Sequence, residues 1–178
     1  MKFSRSLLLT FVAAAAVVST SCSDHGSPTA PAAPQQISAD LIGDLTYGLQ
    51  GLLLQCTPMP AYHASQVIGP DGGTLVIGPH TFTVPRGALT SPVLITADAP
   101  HDNLNRVIFQ PEGLTFRTPA ALTMSYANCQ GLGSLLPKHI AYTNDLLQIL
   151  SFINSIDNIF TNKVTGQVNH FSEYVLSW

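Results

Sequence analysis

Charge is scarce in this chain. Of its 178 residues 10% are Asp, Glu, Lys or Arg, with ten acids to seven bases and a formal net charge of −3 at pH 7. No basic stripe exists that could follow a phosphate backbone, so nucleic acid is not an expected partner. Long apolar runs are missing as well. The longest lies between Leu7 and Val18, short of the roughly 20 apolar residues a spanning helix needs. No glycine-rich loop precedes a helix, so nucleotide binding has no support. Asp145, Asp157 and Glu173 stand isolated in sequence, and no paired-carboxylate chemistry is indicated.

What is abundant is turn chemistry and short alternating runs. From Ala61 onward turns recur at Pro70-Asp71-Gly72-Gly73, Gly78-Pro79, Pro85-Arg86-Gly87 and Pro111-Glu112-Gly113. Between them His80, Phe82 and Val84 alternate with Thr81 and Thr83. Val93, Ile95 and Ala97 alternate with Leu94, Thr96 and Asp98, and Ala120, Leu122, Met124 and Tyr126 with Ala121, Thr123 and Ser125. Period two at this spacing predicts an all-β, two-sheet antiparallel sandwich over residues 61–178. Gly72 and Gly73 are expected to supply positive φ in a tight turn, and Pro85 to end a strand. Leu146, Ile149, Leu150, Ile153, Ile156 and Phe160 also fit a helical stripe, so periodicity alone leaves that stretch between helix and strand.

The first 60 residues divide differently. Residues 1–21 carry Lys2 and Arg5, then the apolar run, then Ser19, Thr20 and Ser21, the pattern of an export signal. Cys22 follows directly, and the arrangement resembles the lipobox of bacterial lipoproteins, although Ser19 stands where a leucine is usual. The resemblance implies cleavage before Cys22, lipidation of its thiol, and attachment to the bacterial cell envelope, with the outer membrane favoured because Ser23 rather than aspartate follows. The membrane, reached through lipid on Cys22, is then one partner; more than one acyl chain is needed for stable anchoring. Residues 22–36, rich in Pro, Ala and Ser, read as an extended tether. Residues 37–60 read as a short helix, with Leu41, Leu45, Leu49 and Leu52 at near-helical spacing, and a connector. Lys2 and Arg5 taken from seven bases leave five in the mature chain. Cys56 and Cys129 are then an even pair in an oxidising compartment and are expected to form a disulfide.

The motifs of the second half also stand in a recognisable order. Ile68-Gly69-Pro70-Asp71-Gly72-Gly73-Thr74-Leu75, Phe82-Thr83-Val84-Pro85-Arg86-Gly87-Ala88-Leu89, Pro111-Glu112-Gly113-Leu114-Thr115-Phe116, Pro119-Ala120 and His170-Phe171-Ser172-Glu173-Tyr174 together resemble the ZU5 domain. This is the β-sandwich module of ankyrins, zonula occludens proteins and netrin receptors, with Arg86 standing where the family usually has a second proline. The resemblance implies a strand at 147–152 and a non-enzymatic role in protein interaction, adhesion or scaffolding, with a protein partner of unspecified identity. It also implies an alternative. In some such domains the peptide bond after the Phe of His-Phe-Ser is cut by the domain itself, which here would make Ser172 the nucleophile and His170 the proton acceptor, with the scissile bond after Phe171.

In a single last strand, His170 and Ser172 would share the core face with Val164, Val168, Tyr174, Leu176 and Trp178, bonding each other or nearby backbone. Asp98, His101 and Asp102 are close in sequence but lack the spacing of a zinc or calcium loop, so no metal and no cofactor is expected. His25, His63, His80 and His139 read as loop or strand-edge residues.

Overall fold

A computed structural model describes residues 52–129 and 136–178. The export segment, Cys22, the tether, His25 and most of the expected helix lie outside the described residues. The tail of that helix does not. Leu53 bridges Ser177, the Leu54 N–H donates to the Leu176 carbonyl, and the Trp178 N–H donates to the Leu52 carbonyl. Residues 52–54 therefore run beside the last strand, because there Leu53 and Leu54 bury against the sheet.

Among the described residues eleven strands follow: β1 Tyr62–Ile68, β2 Gly73–Ile77, β3 His80–Val84, β4 Val93–Ala99, β5 Arg106–Gln110, β6 Thr115–Ser125, β7 His139–Thr143, β8 Ile149–Phe152, β9 Ser155–Asn158, β10 Lys163–His170 and β11 Glu173–Ser177. They form two antiparallel sheets, one ordered β1-β4-β5-β11-β7-β8 and the other β2-β3-β6-β10-β9. The described residues contain no helix, and the expected sandwich is the fold.

The alternation seen in the sequence puts the core where it is. Phe82, Val84, Ile95, Ala97, Ala120, Leu122, Met124, Val164 and Val168 point between the sheets and are buried. Phe82, Phe109, Phe116 and Phe171 form one cluster there, with Phe109 and Phe171 stacked at 4.8 Å between centroids. Each such ring removes a large apolar area from water, and the pairs add about 0.5–1.5 kcal/mol beyond that burial.

The ambiguous stretch is strand. β8 and β9 are successive edge strands, one on each sheet. Ile149 buries against Ala141 and Val175, Ile153 packs on the main core, and Leu150, Ile156 and Phe160 stay exposed. A helical stripe would have buried all of them together. Gly72 takes φ +77°, as the turn requires, whereas Gly73 is the first residue of β2. β3 ends at Val84, directly before Pro85.

The expected disulfide forms: Cys56 and Cys129 are bonded across a sequence separation of 73. It ties the connector to the turn after β6.

Candidate functional site

The last two strands do not share a face. β10 ends at His170 in the five-stranded sheet, and β11 begins at Glu173 in the six-stranded one, so the chain changes sheets at Phe171-Ser172. The expectation that His170 and Ser172 lie side by side on the core face of one strand is corrected accordingly. Both are half-buried, and Phe171 between them is the residue driven into the core. The apolar pull on one large ring outweighs continuation of the strand.

Backbone bonds fix the crossing. The Phe171 N–H donates to the Leu114 carbonyl at 2.7 Å, the Gly113 N–H to the Phe171 carbonyl at 3.2 Å, and the Phe109 N–H to the Ser172 carbonyl at 3.3 Å. The Tyr174 hydroxyl donates to the His170 carbonyl at 2.5 Å, and burial raises that phenol well above its ordinary value. The Ser172 hydroxyl donates to the Thr143 carbonyl at 3.3 Å. Nδ1 of His170 lies 3.4 Å from the Phe171 carbonyl oxygen, a long contact. The ring meets Tyr142 edge-on at 5.1 Å. Thus His170 and Ser172 bond nearby backbone, and no hydrogen bond joins them.

Around this crossing is an open cavity of about 380 Å³. Its walls are the crossing itself, the turn after β5 and the turn between β7 and β8. Both turns are braced by side chains. The Gln110 amide oxygen accepts from the Glu112 N–H at 3.0 Å, and Gly113 takes φ +74° to close that turn. The Asn144 amide oxygen accepts from the N–H groups of Leu146 and Gln148 at 3.1 and 3.0 Å. Glu112 and Asp145 are thereby set on the cavity rim.

Glu173, isolated in sequence, is not isolated in space. It is 7% exposed, and its Oε1 accepts from Arg106 Nη1 at 2.6 Å. The same guanidinium donates to Asp102 from Nε at 2.8 Å and from Nη2 at 2.7 Å. Burial works to lower the Arg106 pKa, but its bonds to Glu173 and Asp102 raise it overall. Asp157 likewise has partners, accepting from the Tyr126 hydroxyl at 2.7 Å and the Lys138 N–H at 2.9 Å.

The remaining sequence candidates disperse. Asp98 bonds His63 Nδ1 at 2.7 Å, Asp102 holds Arg106, and His101 bonds the Met59 carbonyl. Among the described residues no three His, Cys, Asp or Glu side chains converge on one point. His63 lies on edge strand β1 as expected, and His139 is on β7, whose place between β11 and β8 is interior. His80 is a correction. It is 1% exposed on an interior strand, because its position continues the inward period of Phe82 and Val84. Its Nδ1 accepts from the Ser125 N–H at 3.1 Å, and Nε2 has no partner among the described residues. Burial holds its pKa down at about 4.

No protein-family model matches this chain, and no curated protein matches it.

Proposed function

We propose that this protein is a lipid-anchored lipoprotein of the bacterial cell envelope. It presents a non-enzymatic, ZU5-like sandwich that binds a partner through the cavity at the sheet crossing. The export-like segment and Cys22 support the address, and the motif order from Ile68 to Tyr174 supports the kinship. The single observation that carries the binding role is the cavity itself. It is open, its two flanking turns are braced, and the hydroxyl and imidazole nearest its wall are engaged with backbone and with an aromatic ring instead of with each other. A nucleophile and base poised for external substrates would be expected within hydrogen-bond reach of each other. Rigid walls and fixed polar groups suit recognition.

Site-specific photo-crosslinking in the envelope tests this reading. Benzoylphenylalanine in place of Leu150, on the cavity rim, is expected to give a discrete crosslinked product. The same residue in place of Thr83, on the outer face of the other sheet, is expected to give none. Identical products from both positions, or none from either, would overturn the binding role. Cys22→Ala is expected to release the protein from the membrane fraction, and unchanged partitioning would overturn the anchor.

A second reading, self-cleavage after Phe171, is favoured by one specific feature. The Phe171 carbonyl oxygen accepts from the Gly113 N–H and faces His170 Nδ1, so negative charge developing there would meet a donor. The step requires the Ser172 hydroxyl to leave Thr143 and attack the Phe171 carbonyl carbon. Its proton passes to His170 and then to the departing Ser172 nitrogen, leaving an ester that water hydrolyses. β11 lies between β5 and β7, so the released segment would stay clamped on both sides. Ser172→Ala abolishes a cleavage product under this reading and changes nothing if the chain is never cut.

A further inference from the structure

We infer that the cavity at the sheet crossing is a receptor site for a primary ammonium group on an alkyl stem, the chemistry of a diamine or of a lysine side chain. The inference rests on the binding reading above and names the chemistry of its ligand.

Charge is the first argument. Glu112, Asp145 and Glu173 line the cavity, and neither lysine nor arginine does. Arg106 lies behind Glu173 and is already shared with Asp102. Glu173 and Asp102 thus share one guanidinium, Glu112 and Asp145 have no basic neighbour in the lining, and among the described residues lining the cavity His170 alone could add positive charge. In a chain so poor in charge, this is a pronounced local excess of one sign. A cleft with that excess and apolar walls focuses the field on an entering cation.

An unsatisfied buried group is the second argument. Glu173 is 7% exposed, and its carboxylate is held by Arg106 through Oε1. Thr143, also part of the lining, is 1% exposed, and its hydroxyl has no partner among the described residues. Buried acceptors without donors cost stability, and a ligand N–H removes that cost. An ammonium group brings three donors and no acceptor.

The walls choose between kinds of cation. Among the described residues no three carboxylate, imidazole or thiol groups converge closely enough to hold a metal ion. Tyr142 and Ile108, both half-buried, and the exposed Leu150 line the same cavity as the acidic groups. That combination fits a cation carried on methylenes, whose head meets carboxylates and ring faces while its stem lies on apolar surface. The volume is at the small end of ligand pockets, enough for one such chain.

The test is a titration of the isotope-labelled mature chain in nonionic detergent, followed by amide chemical shifts. The probes are cadaverine, acetyl-lysine methylamide and, as a neutral isostere, pentanediol. Cadaverine or acetyl-lysine methylamide is expected to shift amides within 108–113, 142–145 and 170–173, with pentanediol inert. The double variant Glu112→Gln, Asp145→Asn, whose changes lie on exposed turns, is expected to weaken binding at least tenfold. Equal response to both amines assigns the site to a free amine. Preference for the lysine derivative assigns it to a lysine of a protein partner. No shifts at tens of millimolar, equal shifts with pentanediol, or undiminished binding by the double variant would overturn the inference. A crosslink from position 150 alongside inert amines would leave the binding reading standing and remove only the ammonium assignment.

Discussion

The two sheets of this sandwich obey different rules. In the five-stranded sheet each strand has one wet face. Thr81, Thr123 and Thr165 lie in one row across β3, β6 and β10, with the Thr123 and Thr165 hydroxyls 2.9 Å apart, while Phe82, Leu122, Met124 and Val164 point inward. In the six-stranded sheet the central strand β11 is buried at every position from Glu173 to Ser177. Its inward residues join the phenylalanine core. Its outward residues join a second apolar cluster of Leu53, Leu104, Ala141, Ile149 and Val175, beside the Asp102–Arg106–Glu173 ion group. A strand wet on one side writes its period into the sequence, as β4 does at the flank of this same sheet, and a strand covered on both sides, as β11 is, does not.

Breaking that contrast gives the largest expected effect. Val175→Asp places a carboxylate in the second cluster and is expected to cost on the order of 5 kcal/mol, as an uncompensated buried charge does. Thr123→Asp, on the wet face of the other sheet, is expected to change stability by about 0.5 kcal/mol or less. Urea unfolding of both variants checks the difference, and similar losses would contradict the two-rule picture.

The connector that helps cover the outer face is held by the disulfide. Replacing Cys56 and Cys129 by Ser reopens a loop of 73 residues, for which the loop-closure estimate is roughly 4 kcal/mol. Thermal unfolding with and without reductant measures it.

His80 sharpens the comparison from inside the simpler sheet. Its folded pKa of about 4 lies below the ordinary value of 6.5, so the fold favours the neutral ring. Its contribution is present above pH 6.5 and is lost as pH falls from 6.5 to 4. A shift of that size corresponds to about 3 kcal/mol. Unfolding free energies of the native chain and His80→Phe across this window are expected to diverge, with only the native chain losing stability through the histidine.

The smallest expected effect is Thr165→Ala. It removes one exposed hydroxyl pair and is expected to cost within about 0.5 kcal/mol by the same unfolding assay.

Legibility followed the same divide. Phe82, Leu122 and Met124 were readable as core because polar residues separate them, and the strands carrying them fell where alternation put them. Val175 and Leu176 are adjacent and both buried, which no alternation announces. The same blindness affected the site. His170 and Ser172 were readable as a motif, but their separation onto two sheets depends on Phe171 entering the core, a tertiary event. Arg106, paired four residues back with Asp102, meets Glu173 across 67 residues of chain, and that distant pairing has no local signal. The cavity, likewise, is assembled from three distant segments, and of its rim only the Pro111-Glu112-Gly113 turn was visible in the sequence.

The central proposal is that the crossing peptide is a fixed wall of a binding cavity in a membrane-held protein. Intact mass of the protein isolated from cell membranes tests it most directly. The account predicts one chain, uncut between Phe171 and Ser172, that begins at lipid-modified Cys22. An unmodified Cys22, or a fragment beginning at Ser172, would contradict it.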